Sequence, residues 1–186
     1  MIRYSKPLTK ETAHMDFLEL AAKRYSVRKF KEEKVRREDL DKILKAGMLA
    51  PTAHNDQPQR ILVINSDEAL EKLKKCTACH FNAPTALLIC SDKDACWTRK
   101  YDGKKSYDID AAIVTTHMML EAAELGVGTT WVMFFDPAAL RRELSIPDTL
   151  EPTAILTMGY PAPDAVPAPG HAAGKTLDEL VCYEHF

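Results

Sequence analysis

The stretch from Tyr107 to Leu125 sets the tightest limit on how this chain can fold. It reads as the longest helix, ended by Gly126, a residue suited to the left-handed turn that closes helices. Apolar or small residues (Ile109, Ala112, Ile113, Thr116, Met119, Leu120, Ala123) occupy most of its circumference, and only His117, Glu121 and Glu124 make a polar stripe. A helix apolar nearly all round must be covered on nearly all sides. In a chain of 186 residues it is either central or shared with a second subunit. His117 and Glu121 have the i, i+4 spacing of a metal pair, but no third ligand accompanies them, so an exposed polar stripe is expected.

Other segments supply the cover. Phe17 to Lys23 is amphipathic, and Arg37 to Ala50 carries the stripe Leu40, Ile43, Leu44, Met48 and is stopped by Pro51. Ser66 or Asp67 caps a short helix through Lys75, and Asp136-Pro137 opens another through Leu144. Arg60–Asn65, Thr85–Cys90, Thr129–Phe135 and Ala154–Met158 are apolar strands. Strands alternating with helices imply an α/β layered sheet, much of it parallel. Residues 91–107 are polar and Lys-rich yet hold Trp97, Tyr101 and Tyr107, as expected of a functional loop or lid. These three rings are candidates to stack on a substrate, with core filling as the alternative.

The ends differ in character. Residues 1–14 are polar and aperiodic, an N-terminal extension, and Met15 offers a second start; residues 15–160 form the main domain. Pro161, Pro163, Pro167 and Pro169 make 161–186 a stiff arm, with a reach of up to about 30 Å, carrying an apolar and aromatic tail. Such an arm can embrace another subunit or wrap its own.

A net charge of −2 argues against a broad nucleic-acid or membrane surface. No apolar run reaches the roughly 20 residues that span a bilayer, and no signal-peptide core is visible, so a cytoplasmic protein is expected. The five cysteines are odd in number and scattered, and reduced thiols follow. Cys76-Thr77-Ala78-Cys79-His80 matches the c-type haem attachment pattern, but that chemistry needs export. No second Cys/His pair makes a zinc site, so no metal is expected.

A basic pocket, if present, must be local, and its candidate is Arg24-Tyr25-Ser26-Val27-Arg28-Lys29-Phe30. In extended chain Arg24, Ser26 and Arg28 share one face. Two guanidiniums flanking a hydroxyl, with no carboxylate among them, suit a dianionic phosphate. Taken alone, a solvated basic turn after a helix satisfies the same residues, and short basic motifs match often by chance.

The order of blocks is more specific. The Arg-Tyr-Ser-Val-Arg-Lys-Phe stretch is followed by a helix and then by residues 50–58, Ala-Pro-Thr-Ala-His-Asn-Asp-Gln-Pro. Asn82-Ala83-Pro84, residues 124–131 (Glu-Leu-Gly-Val-Gly-Thr-Thr-Trp), Met158-Gly159-Tyr160-Pro161 and Lys175 before Thr176-Leu177-Asp178 come after. From Met15 to Phe186 the chain resembles the FMN-dependent nitroreductase family. The resemblance implies an α+β fold, layered α/β/α around a central mixed sheet of four to five strands, in a homodimer with FMN at the subunit interface, NADH or NADPH as electron donor, a small-molecule acceptor and a C-terminal arm exchanged between subunits. By position, Arg24 and Ser26, with Tyr25 between them, would bind the FMN phosphate, and Arg28 would lie along the ribityl chain toward N1/O2 and stabilise charge there. Pro51, Thr52, Ala53, Asn55 and Gln57 would reach the flavin from the partner. Met133 and Phe134 would present a backbone N–H near N5, and Lys175 would fall where the family places a phosphate-binding Arg or Lys. His54 would border the substrate face, unless it merely caps its loop. Thr52 stands for the commoner Ser, Gln59 for an aromatic residue, and Lys175 lacks a bidentate fork. The expected reaction is ping-pong reduction of nitroaromatic or quinone-like acceptors. Reductive dehalogenation, flavin fragmentation or flavin binding without turnover are the alternatives.

Overall fold

The computed structural model describes residues 16–186; the expected extension, residues 1–14, lies outside them. The helices are α1 (Phe17–Lys23), α2 (Arg37–Leu49), α3 (Asp67–Lys74), α4 (Tyr107–Glu124), α5 (Pro137–Leu144) and α6 (Leu177–Leu180), and the strands β1 (Gln59–Ile64), β2 (Thr85–Asp92), β3 (Gly128–Val132) and β4 (Leu150–Gly159). The expected caps form: the Ser66 hydroxyl accepts from Ala69 N, and Asp136 Oδ1 accepts from Ala138 N and Ala139 N. Gly126, at φ +73°, closes α4 as the sequence requires.

The sheet runs β1-β2-β4-β3, and every pair is antiparallel. The parallel pairing expected from alternating helices and strands is therefore corrected. Among the described residues, parallel contact is confined to an isolated bridge between Ser26 and Thr129. The misleading signal was the alternation of helices with strands; the strands also carry an unbroken apolar run, usual for parallel strands. Here it arises because the middle of an antiparallel sheet is covered on both faces. Leu87, Ile89, Leu156 and Met158 face α2 and α4 (Leu40, Ile43, Val114, Met118), while Leu88 and Ile155 face α3 and α5 (Leu73, Leu140). β3 stops at Val132, short of the expected Phe135, because the Thr77 hydroxyl donates to Phe134 O at 2.5 Å and Asp136 N bonds Cys76 O at 2.9 Å.

α4 buries Ala111, Val114, Thr115, Met118 and Ala122. α2 crosses it closely at Gly47, where a Cβ would sit 2.8 Å from Met118 Cγ. Asp39, 3% exposed, fastens α2 to the end of β4: Tyr160 Oη donates to Asp39 Oδ2 at 2.9 Å, as does Arg36. Burial pushes this carboxyl up, but the Arg36 and Tyr160 hydrogen bonds outweigh it and hold it below its ordinary 3.8. No helix among the described residues is long and apolar enough to cross a membrane.

A depressed folded-state pKa contributes stability above the unfolded value, lost as pH falls through the folded one. Tyr160→Phe should cost about 1 kcal/mol at pH 7, the net worth of one hydrogen bond. The difference from wild type should shrink below pH 3.8, as urea midpoints at several pH values will show.

Candidate active site

The Arg24–Phe30 segment lies as extended chain against the outer edge of β3. Val27, 2% exposed, donates its N–H to Thr129 O at 2.9 Å, and its carbonyl accepts from the Thr130 hydroxyl. The approach requires Gly128, since a Cβ there would stand 2.6 Å from Val27 Cγ2. With Val27 turned inward, Arg28 is exposed and Ser26 half-buried. Arg28 Nη1 donates to Ser26 O at 3.2 Å, and its guanidinium lies 5.9 Å from the centre of the Phe81 ring. Arg24 caps α1 and lines a cavity of about 170 Å³ with Lys23, Tyr25 and Pro161. No carboxylate among the described residues forms an ion pair with Arg24 or Arg28. The Arg24 guanidinium, the Arg28 donors not turned to Ser26 O and the Ser26 hydroxyl thus remain available to an anion, as a phosphate requires.

Tyr25 turns the other way. Its hydroxyl donates to Ala165 O at 3.3 Å and its ring meets His171 edge-on, 6.1 Å between centres. Lys29 pairs with Asp164 at 2.6 Å. The arm is thereby anchored beside the basic segment, then departs: residues 166–186 are exposed throughout. Lys175 lies in that tail, with no ion pair or side-chain hydrogen bond among the described residues to join it to Arg24. Met133 and Phe134, 67% and 73% exposed, follow β3.

A second group forms elsewhere. Residues 51–57 make a tight loop in which His54, Asn55 and Gln57 take left-handed φ of 52°, 59° and 50°. Thr52 Oγ1 accepts from Gln57 N at 3.1 Å, and Gln57 Nε2 donates to Asn55 O at 3.3 Å. His54 meets Trp97 of the 91–107 segment, ring centres 5.8 Å apart and tilted 31°. Pro51, Asn55 and Gln57 are exposed, and Thr52 and Ala53 half-buried. Tyr107 begins α4, half-buried, whereas Tyr101 is 84% exposed under Lys100 and joins no ring cluster. The structure thus brings together Ser26 with Arg28, and His54 with Trp97. No hydrogen bond or ring contact joins the basic segment to the 51–57 loop within one chain.

The Cys76–His80 motif is held by local hydrogen bonds. Cys76 is buried, donates to Lys72 O at 3.3 Å and is pushed up by burial; His80 Nδ1 accepts from Asn82 N at 3.0 Å. Burial likewise pushes the Cys90 thiol up to about 11. Among the described residues no group of three or more His, Cys, Asp or Glu could hold a metal ion. Sequence reasoning missed Phe81, the surface under Arg28, and Asp110, which accepts from Ala53 N at 2.9 Å. Asp110 was legible in principle, since it heads the core stripe Val114, Met118 at i, i+4, i+8.

Comparison with known proteins bears on the family and the fold. The Nitroreductase family profile matches residues 21–83 and 77–160. A nitroreductase family protein from Clostridium difficile 630 superposes with a TM-score of 0.87 at 47% identity, covering 92% of this chain and 100% of that one. A Desulfovibrio desulfuricans protein provisionally named a nitroreductase, solved in complex with FMN, gives a TM-score of 0.76 at 28% identity over 91% and 96%. A Methanothermobacter thermautotrophicus protein provisionally named NADH dehydrogenase/NAD(P)H nitroreductase is 31% identical over 159 residues, 82% of this chain and 81% of the relative. The chain belongs to the Nitroreductase family.

The Val27–Gly128 contact is directly testable. Gly128→Ala should cost about 1–3 kcal/mol through overpacking and loosen the basic segment, raising hydrogen exchange at Val27 N–H relative to β2.

Proposed function

We propose that this protein is an FMN-dependent oxidoreductase that reduces nitroaromatic or quinone-like acceptors with NAD(P)H in a ping-pong cycle. The observation that carries the reading is the strip fastened to β3 that carries Ser26 and the exposed Arg28, with Arg24 earlier on the same strip, none of them engaged by a carboxylate among the described residues. In this reading Arg24 and Ser26 hold the phosphate, with Lys175 as an added cation, and Arg28 lies toward N1/O2. Pro51, Thr52, Ala53, Asn55 and Gln57 belong to the flavin cradle, and the backbone at Met133 and Phe134 borders N5. When bound, FMN supplies two-electron chemistry at N5, accepting a hydride from the nicotinamide and returning it to an acceptor. Arg28 then offsets negative charge at N1/O2 without reorganisation. The paired rings of His54 and Trp97 offer an acceptor a flat partner at the same site.

The working unit in this reading is a homodimer, residues 15–160 forming the FMN-binding domain and 161–186 an arm packed on the partner. Three observations support it. The apolar face of α4 is open at Ile109, 52% exposed, along a groove with Ala112, Ile113 and Thr116. Met48 and Leu49 at the end of α2 are 70% and 50% exposed. The tail exposes Leu177, Leu180, Tyr183 and Phe186. Isolated chains rarely leave such surface uncovered. All five cysteines are free thiols, in keeping with a cytoplasmic setting.

Purified protein is expected to be yellow, to bleach on addition of NADH or NADPH, and to regain colour with a nitroaromatic. Faster return with halogenated phenols would instead favour reductive dehalogenation. Arg28→Ala should weaken FMN binding by about tenfold or more, as expected for a lost charge-assisted hydrogen bond. Truncation after Gly170 should convert a dimer to a monomer in sedimentation and release flavin.

A further inference from the structure

Asp110 is 1% exposed, in the first turn of α4, and its two oxygens are divided between two different segments. Oδ1 accepts from Ala53 N at 2.9 Å, in the loop that carries His54. Oδ2 accepts from the Ser106 hydroxyl at 2.7 Å, where the 91–107 segment re-enters the helix. Ser106 N in turn donates to Trp97 O at 2.9 Å, and a bridge between Thr98 and Lys105 closes the hairpin behind it. One carboxylate thereby reaches His54 through Ala53 and Trp97 through Ser106, and these two rings meet 5.8 Å apart. Apart from that ring contact, no hydrogen bond between side chains joins the loop and the hairpin. A buried acceptor with two directional donors fixes both segments together.

We propose that Asp110 is a positioning residue that sets the His54–Trp97 ring pair, and through it the grip on a planar aromatic acceptor. The assignment of the rings to the acceptor rests on the function proposed above; the tether itself does not. Asn at 110 can keep both bonds, its oxygen accepting from Ala53 N and its amide donating to the Ser106 oxygen. Ala keeps neither. Ser106→Ala removes only the hairpin side and leaves the Ala53 bond in place.

The experiment places Asp110→Asn, Asp110→Ala and Ser106→Ala in a Trp131→Phe background, where Trp97 is the remaining indole among the two tryptophans. Acrylamide quenching of Trp97 fluorescence is measured in flavin-free protein, and KM and kcat for a nitroaromatic in the FMN-loaded enzyme. With the tether lost, the two Ala variants should quench about twofold more readily, as expected for local opening, with circular dichroism unchanged. KM should rise about tenfold in Ser106→Ala with kcat little altered, the mark of lost acceptor binding. Asp110→Asn should stay close to the parent on both measures. If Asp110→Ala fails to fold, Ser106→Ala decides alone. Ala variants that fold and quench like the parent overturn the proposal, as does a KM unchanged alongside increased quenching. A parent protein that takes up no FMN sinks the functional reading, while the quenching result still decides the tether.

Discussion

Much of the candidate site hangs on one strip of backbone laid against a sheet edge. Val27 docks on Thr129 and Thr130, and only a residue without a Cβ at 128 leaves room for it. A short stretch alternating inward and outward side chains becomes a fixed display once a single inward residue is held. The contact also blunts the β3 edge, which would otherwise expose unpaired backbone groups. From that strip the arm is anchored, through Lys29 to Asp164 and Tyr25 to Ala165. Cation display, edge protection and the departure of the tail are three results of one packing event.

The remaining groups sit at the other end of the molecule, around the start of α4. There a tight loop is stabilised despite three left-handed non-glycine residues because its polar groups are satisfied locally and by a helix behind it. Strain of that kind persists only where surroundings over-determine it. The two groups have complementary chemistry, cations and a hydroxyl in one, aromatic and amide groups in the other. A single chain presents both without joining them, and its open apolar surfaces lie on α2, α4 and the tail.

Helices were largely legible from residue order. Periodic stripes, Ser66, Asp136 and Gly126 mark their ends, and α5 spans the expected residues. Strand positions were also legible, but not strand direction. Leu87 to Cys90 is apolar at every position because both sheet faces are covered, and no residue in such a run reports which way its neighbour travels. The end of β3 was missed because a hydroxyl from a distant turn, Thr77, captures Phe134. The basic segment was visible as a pattern, but its orientation depends on a contact between residues 27 and 128, which lie far apart in sequence. Asp110 was overlooked because its neighbours argue only for greasiness, whereas the carboxylate answers to donors 4 and 57 residues away.

The antiparallel sheet has a kinetic corollary. Its two central strands, residues 85–92 and 150–159, pair with each other across everything between them. That intervening chain holds α4, β3 and α5, and its ends must meet before the inner strands gain any contact. Loop closure of this length is an entropic toll collected ahead of the reward, so the rate of reaching the native state is governed by non-local pairing. The long apolar helix lies within the closing loop, and the share of its burial that the sheet supplies comes only when those strands meet.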